Sequence, residues 1–315
     1  MRRKMKDRLV TLIGGGGFLG RYVAQELLAA GARVRVVERK PRDAWFLKTQ
    51  GGLGQTQLVV GDITKPETLA RALQGSDAVV NFVGILAGDF DKVHVAGARN
   101  VAEAAAAAGA AALVHISALG ADAGSPSAYG RSKAAGEQAV LAAFPGATIL
   151  RPSIVFGRED AFVNRFAGMI AGAPLNIVPV VRGETRFQPV FVTDVAQAVT
   201  AALADPAAHG GKTYTLGGPD VLSMSALLRW IAGAIGRKPH FVELPDSLAS
   251  LVASLPGTPI TRDQFAMLRA DNVVPAGAEG LAALGVTPTP MASVAPSWLV
   301  RFRQAGRFSR FRTAA

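Results

Sequence analysis

Along the chain, short apolar runs alternate with longer segments of helical period. Val10 to Ile13 is an unbroken aliphatic and β-branched run and reads as a buried strand. Phe18, Leu19, Tyr22, Val23, Leu27 and Leu28 then recur at the spacing of one apolar helix face, with Gly31 as the stop. Arg33 to Glu38 and Gln57 to Val60 read as the second and third strands. Pro66 sits at a first-turn position of a helix that runs through Leu73. Asp77 to Phe82 is a fourth strand, a long helix follows through Val101 to Ala108, and Ala112 to Ile116 is a fifth strand. Strand and helix thus alternate five times within about 120 residues. That order predicts an α/β fold with a doubly wound parallel sheet, whose ligands bind outside the carboxyl ends of the strands.

Further on, Ala128 to Phe144 reads as a helix and Thr148 to Leu150 as a sixth strand. Phe162 to Ile170 is amphipathic, Thr193 to Ala204 is helical with Thr193 as its cap, and Tyr214 to Leu216 is a short strand. Ser223 caps a helix through Ile235. In Leu244 to Leu255, Leu248, Leu251, Val252 and Leu255 share a face and Asp246 is the sole charge. That face suits either the core of a small lobe or a membrane or partner helix. Pro256, Pro259, Pro288, Pro290 and Pro296 punctuate the remainder. These elements predict a domain over 1–157, a small C-terminal α/β lobe over 158–297 with Thr193 to Ala204 returning to the core, and a tail over 298–315.

The first strand runs directly into four glycines, and Gly14, Gly17 and Gly20 fit the spacing GxxGxxG. The first permits a tight turn, the second lets backbone approach a pyrophosphate, and the third lets the helix pack close to the strand. Phe18 and Leu19 begin that helix, whose free N–H groups and positive dipole end face the phosphates. A strand, the glycines, a helix and a second strand in this order predict a Rossmann-type dinucleotide site. Glu38 stands where an acid binds a ribose 2′-OH, which favours NAD(H). Arg39 and Lys40 follow and can pair with a 2′-phosphate, which favours NADP(H). The balance is set here toward NADP(H), with NAD(H) left open. Asp62 and Ile63, after the third strand, suit the adenine amino group and the adenine face; a strand-end Asp also caps turns. Phe82, Val83 and Gly84 end the fourth strand, where small residues let a cofactor lie against backbone.

A second constellation is Ser117, Tyr129 and Lys133. Ser117 follows the fifth strand directly, and Tyr129 and Lys133, four apart, share one helix face. The ammonium lowers the tyrosine pKa and can bond a cofactor ribose, Tyr129 serves as general acid or base, and Ser117 holds a substrate oxygen.

The chain has no cysteine, so disulfides and thiolate metal sites are excluded, and its four histidines are scattered, so no metal site is expected. The net charge of +11 is unevenly placed: residues 1–8 carry +4, residues 298–315 carry +5, and only +2 is left between. A near-neutral body excludes a nucleic-acid-binding domain. In the tail, Arg301, Arg303, Arg307, Arg310 and Arg312 alternate with Phe302, Phe308 and Phe311. Such an end suits an anionic membrane surface or an acidic protein partner, or is simply solvated. Gly280 to Val300, the longest uncharged stretch, is broken by glycine and proline, so no spanning helix is expected. The basic start meets glycines after only five apolar residues, which argues against a signal peptide. A cytoplasmic protein, peripheral on the inner face of a membrane, is the expectation.

With these residues the sequence resembles the short-chain dehydrogenase/reductase superfamily, in its extended and atypical branches. The resemblance runs from Val10 to about Ala204 and adds Arg151-Pro152-Ser153 and Gln188-Pro189-Val190, leading to Val192, Asp194 and Val195. It implies NAD(P)-dependent oxidoreduction of a carbonyl or alcohol of unknown identity. It also implies a substrate cleft lined by the segment after the sixth strand, with the Pro152 backbone against the nicotinamide carboxamide. Extended members commonly carry an asparagine early in the helix after the fourth strand, as part of a proton relay; His94 stands at the matching position. A narrower resemblance lies in GFLGRYVAQEL, VFGREDAFVNRFAGMI and PGTPITRDQFAML. It is to the nucleotide-binding accessory subunits of respiratory complex I and their bacterial relatives, which hold NADPH structurally. This implies an alternative: a non-catalytic nucleotide-holding protein docked on a respiratory complex by its basic C-terminus.

Overall fold

The computed structural model describes residues 5–252, 261–304 and 306–311. Arg2, Arg3 and Lys4 of the basic start, with Leu255, Pro256, Pro259 and Arg312, lie outside the described residues. The chain forms two compact units. One comprises Met1–Pro152, Val192–Leu216 and Ala276–Thr287; the other comprises Ser153–Phe191, Gly217–Pro275 and Pro288–Ala315.

The first unit is built on a seven-stranded, wholly parallel sheet. Its strands are β1 (Leu9–Ile13), β2 (Arg33–Glu38), β3 (Thr56–Val60), β4 (Ala78–Asn81), β5 (Ala112–Ile116), β6 (Thr148–Pro152) and β7 (Thr213–Leu216). They lie in the order β3-β2-β1-β4-β5-β6-β7. β1, β4 and β5 are buried almost throughout, which is why their sequences are continuous apolar runs rather than alternating ones. Register is fixed on both sides of β1, where Val10 lies beside Val34 and beside Ala78. The direction of winding reverses between β1 and β4, the place where such sheets open a crevice at their carboxyl ends.

Helices α1 (Phe18–Ala29), α2 (Pro66–Leu73), α3 (Ala98–Ala107), α4 (Ala128–Ala143) and α5 (Val192–Ala204) cover the sheet. Leu69, Leu73, Val101, Ala105 and Val140 from α2, α3 and α4 share one core with Ile13, Val79, Leu113 and Ile149 of the strands. α1 packs against α5, whose alanines and valines are buried on every side. The expected helix between β4 and β5 begins as seven residues of π-helix, Asp91–Gly97, before α3 continues it. Thr193 lies inside α5 and is not its cap, because the helix starts at Val192 directly after a strand.

The second unit holds a parallel pair, Ile177–Val181 with His240–Leu244, and two further short strand pairs. Its core gathers Phe156, Val163, Ile170, Val178, Leu227 and Ile231. Ser223 caps Met224–Ala234 as expected, its hydroxyl accepting from Ala226 N at 3.1 Å. The segment from Leu244 divides into the end of a strand and a helix, Asp246–Val252. The first part of the expected tail belongs to this unit: Trp298 and Leu299 are in its core and Phe302 packs against it. Among the described residues, no helix is long and apolar enough to cross a membrane.

Candidate active site

The glycine turn follows β1 as its sequence requires. Gly14 has φ +76°, a region that favours glycine, and its N–H donates to Val37 O at 3.0 Å. A Cβ at Gly20 would lie 2.5 Å from Gly15 backbone, so α1 can pack this close only with glycine there. Gly17 differs, because the protein itself crowds it little: a Cβ would meet only Gly14 O, at 3.3 Å. No side chain caps α1, whose first N–H groups stay available to an anion, with Phe18 and Leu19 half-buried beside them. The residues thus fit a pyrophosphate, which a side chain at Gly17 would displace.

At the end of β2, Glu38 turns back and accepts from Gly16 N at 2.7 Å. Burial raises its carboxyl above the usual range, although that hydrogen bond and the Arg39 charge pull it down. Arg39 and Lys40 are exposed, and Arg39 is close enough to act electrostatically on both Glu38 and Asp62. Asp62 caps its own turn: Oδ1 accepts from Thr64 N at 2.9 Å and Thr64 Oγ1 at 2.8 Å. Burial would raise its carboxyl, but the Thr64 bonds and the charges of Arg39 and Lys65 hold it below the usual range. Ile63 is packed inward in the core, and Asn100 Nδ2 holds its carbonyl at 2.8 Å. Phe82 N donates to Ile13 O at 3.0 Å, which carries the chain from β4 past the glycine turn. Val83 then lies against Gly14, and Gly84 lies beside His94 and Lys133.

Ser127 caps α4 by accepting from Gly130 N, which sets the face that presents Tyr129 and Lys133. Lys133 is 4% exposed, and its Nζ donates to Ile116 O at 2.8 Å, the carbonyl just before Ser117. Burial lowers this ammonium to about 8, with Glu137 opposing the shift. Glu137 is itself gripped by Arg151 at 2.9 and 2.6 Å. The Ser117 hydroxyl is buried without a hydrogen-bond partner, a costly state for a polar group with no ligand to bind. Burial pushes the Tyr129 hydroxyl up to about 12. The expected lowering by Lys133 is not found: burial is the cause that sets the shift, and the ammonium bonds the Ile116 carbonyl. Pro152 ends β6, and its carbonyl accepts from Leu119 N at 2.9 Å.

His94 does not offer a relay group. Its Nε2 accepts from Ile85 N at 2.9 Å, and its Nδ1 lies 2.8 Å from Ser132 Oγ, whose proton goes to Tyr129 O at 2.8 Å. One tautomer satisfies all three bonds: neutral imidazole with its proton on Nδ1. Burial and the Lys133 charge lower His94 to about 4, which keeps it neutral. Its ring stacks on Phe90 at 5.3 Å and meets the Tyr129 ring edge-on at 5.5 Å. His94 therefore ties the loop after β4 to the helix that carries Tyr129 and Lys133. Among the described residues there is no cluster that could hold a metal ion.

Residues 10–217 match the profile of the NAD dependent epimerase/dehydratase family. The chain belongs to that family. Its fold is the NAD(P)-binding fold of the family, and the turn after β1 and the strand ends described above lie within the matched region. The mouse protein NADH dehydrogenase (ubiquinone) 1 alpha subcomplex subunit 9, mitochondrial, is 35% identical over 92% of this chain and 79% of its own length. The ceramide reductase of Caulobacter vibrioides is 31% identical over 80% of each chain. Among solved structures, Citrobacter triphenylmethane reductase complexed with NADP(H) superposes with a TM-score of 0.74 over 92% of this chain and 99% of that one, at 20% identity. The last comparison bears on fold alone. Sequence reasoning missed Phe90, Ser132 and the Glu137–Arg151 pair. Ser132 could have been suspected, since it lies one residue before Lys133 on the same helix.

Proposed function

We propose that this protein is an NADP(H)-dependent oxidoreductase that reduces a carbonyl or oxidises an alcohol. The observation that carries this reading is the buried, unpartnered Ser117 hydroxyl, next to the carbonyl that anchors the Lys133 ammonium. The bound nicotinamide supplies or accepts the hydride. Gly14, Gly17 and Gly20 with the start of α1 hold the pyrophosphate, Arg39 and Lys40 the 2′-phosphate, and the free oxygen of Asp62 the adenine. Ser117 donates a hydrogen bond to the substrate oxygen, and Tyr129 donates its proton there. A hydroxyl raised to about 12 is protonated at neutral pH, which favours the direction of carbonyl reduction. Lys133 binds the cofactor ribose, and His94 positions Tyr129 without moving a proton.

The test is Tyr129→Phe, assayed for NADPH oxidation against a panel of aldehydes and ketones that the wild type turns over. Loss of general acid catalysis should lower turnover by about 10²–10⁴-fold while NADPH affinity stays within about twofold. An active variant would assign the proton transfer to another group.

A second reading is favoured by the mouse relative, a subunit by its name of NADH dehydrogenase. In it the chain holds its nucleotide without turnover, as an accessory protein of a respiratory NADH:quinone oxidoreductase. Both readings place it at the cytoplasmic face of a membrane, attached peripherally through its basic C-terminus. Co-purification with membrane complexes, in a protein that oxidises no NADPH with any carbonyl, would support the second over the first.

A further inference from the structure

The second unit contains a cleft of about 590 Å³ lined by Arg158, Trp298, Val300, Arg301, Arg307 and Phe308, with no carboxylate on its lining. Its construction is unlike that of a loose tail. Trp298 is 8% exposed and stacks on Phe191 at 6.3 Å with ring planes 9° apart. Arg303 fastens the same segment by donating twice to Ala234 O, at 3.1 and 3.0 Å. Arg301 crosses back, its Nη2 donating to Arg158 O at 3.1 Å and its guanidinium lying 5.0 Å over the Phe302 ring. Arg307 lies 5.8 Å over the ring of Phe308, which is 63% exposed. The indole Nε1 of Trp298 is buried without a partner.

Three arginines line one cleft without an acid among the lining residues, and a bound anion turns the mutual repulsion of their charges into attraction. Guanidinium groups match phosphate oxygens in pairs, which makes phosphate the anion of choice. The remaining walls are Trp298, Val300 and Phe308 with Ser297 and Gly306 between them, and the exposed Phe308 stands beside Arg307. That combination suits a headgroup phosphate above glycerol and acyl chains better than a small soluble anion. We propose that this cleft binds the phosphate of an anionic phospholipid, with Arg158, Arg301 and Arg307 holding the headgroup and Phe308 entering the interface. The proposal rests on the peripheral-attachment part of the reading above and is independent of turnover.

The experiment is sedimentation of the full chain with vesicles of phosphatidylglycerol mixed into phosphatidylcholine, and with phosphatidylcholine alone. The wild type should pellet with the first and stay in solution with the second. Arg301→Gln with Arg307→Gln should weaken binding by about 25-fold, at roughly fivefold per arginine, whereas the charge-matched pair Arg71→Gln with Arg99→Gln should bind as wild type. Because Arg301 also bonds within the unit, Arg307→Gln with Phe308→Ser serves as a second variant, and it too should lose binding. If the wild type ignores both vesicles, peripheral attachment to lipid fails and the cleft proposal falls with it. If both site variants bind as wild type, attachment stands and the cleft is the wrong site. If calorimetry shows inorganic phosphate binding as tightly as short-chain phosphatidylglycerol, the apolar walls contribute nothing, the site is for a small anion and the proposal is overturned.

Discussion

The turn Gly14–Gly17 and the helix carrying Tyr129 and Lys133 stand at the carboxyl edge of one sheet, and they are built in opposite ways. At the turn, backbone is what is offered to the proposed nucleotide: Gly17 is exposed, and a side chain there would meet one protein atom, Gly14 O at 3.3 Å. At α4, side chains are what is offered, and they are fixed mostly by backbone: Lys133 by the Ile116 carbonyl, His94 by the Ile85 amide and the Ser132 hydroxyl, Ser132 by the Tyr129 carbonyl. The first arrangement can bind without any titration, because N–H groups and a helix dipole do not change with pH. The second depends on protonation states set by burial. Binding and chemistry should therefore fail separately, under different perturbations.

The largest separation is expected from Gly17→Val. The added side chain would occupy the proposed pyrophosphate position while pressing on one protein atom, Gly14 O, so the variant should still fold and lose nucleotide binding altogether. Calorimetry with NADPH, beside a melting curve, checks both halves. Unchanged affinity in a folded variant would remove the turn from the site.

A smaller effect is expected from pH. Lys133 has its pKa lowered to about 8 by burial, so its charge is present below that value and is lost above it. Rates at subsaturating substrate should hold level up to pH 8 and fall about tenfold for each unit above, while NADPH still binds through the turn. A profile that stays flat to pH 10 would mean that the ammonium takes no part.

The smallest effect concerns stability. His94 is lowered to about 4, so between pH 6.5 and 4 the unfolded chain takes up a proton that the folded chain refuses. Stability should fall as pH drops through that window, and His115, also lowered by burial, adds to the fall. Plotted against pH, the stability of His94→Leu from urea unfolding should show a shallower slope than the wild type. Its offset near neutrality should be about 1–3 kcal/mol, from the Ile85 amide left without its acceptor. Equal slopes would mean that His94 is not held neutral.

The regions differ as much in how far they could be read from sequence. The turn was legible, because each glycine does one local job within eleven residues of a strand and a helix, Val10 to Gly20. Tyr129, Lys133 and Ser117 were legible as types and spacing, but not the direction of the Lys133 ammonium, which depends on β5 lying beneath α4. The π-helical start of the segment before α3 leaves no sequence mark: the hydrophobic period is short there, and only the fold shows that His94 reaches Ser132. The packing of the C-terminal end was hidden for the same reason. Its arginines and phenylalanines read as a solvated or membrane-seeking tail, yet Trp298 finds Phe191, more than a hundred residues earlier in the chain. No local pattern announces that contact. Ser223 and the Asp62 turn, whose partners are three and two residues away, could be foreseen.

Parallel calorimetric titrations of the wild type with NADPH and NADH bear most directly on the assignment of the glycine turn and Arg39 to a phosphorylated dinucleotide. NADPH should bind more tightly, and Arg39→Ala should bring the two affinities together, since a charge-assisted phosphate contact contributes about 1.5–3 kcal/mol. Binding of neither nucleotide by the folded wild type, or preference for NADH that Arg39→Ala leaves untouched, would contradict it.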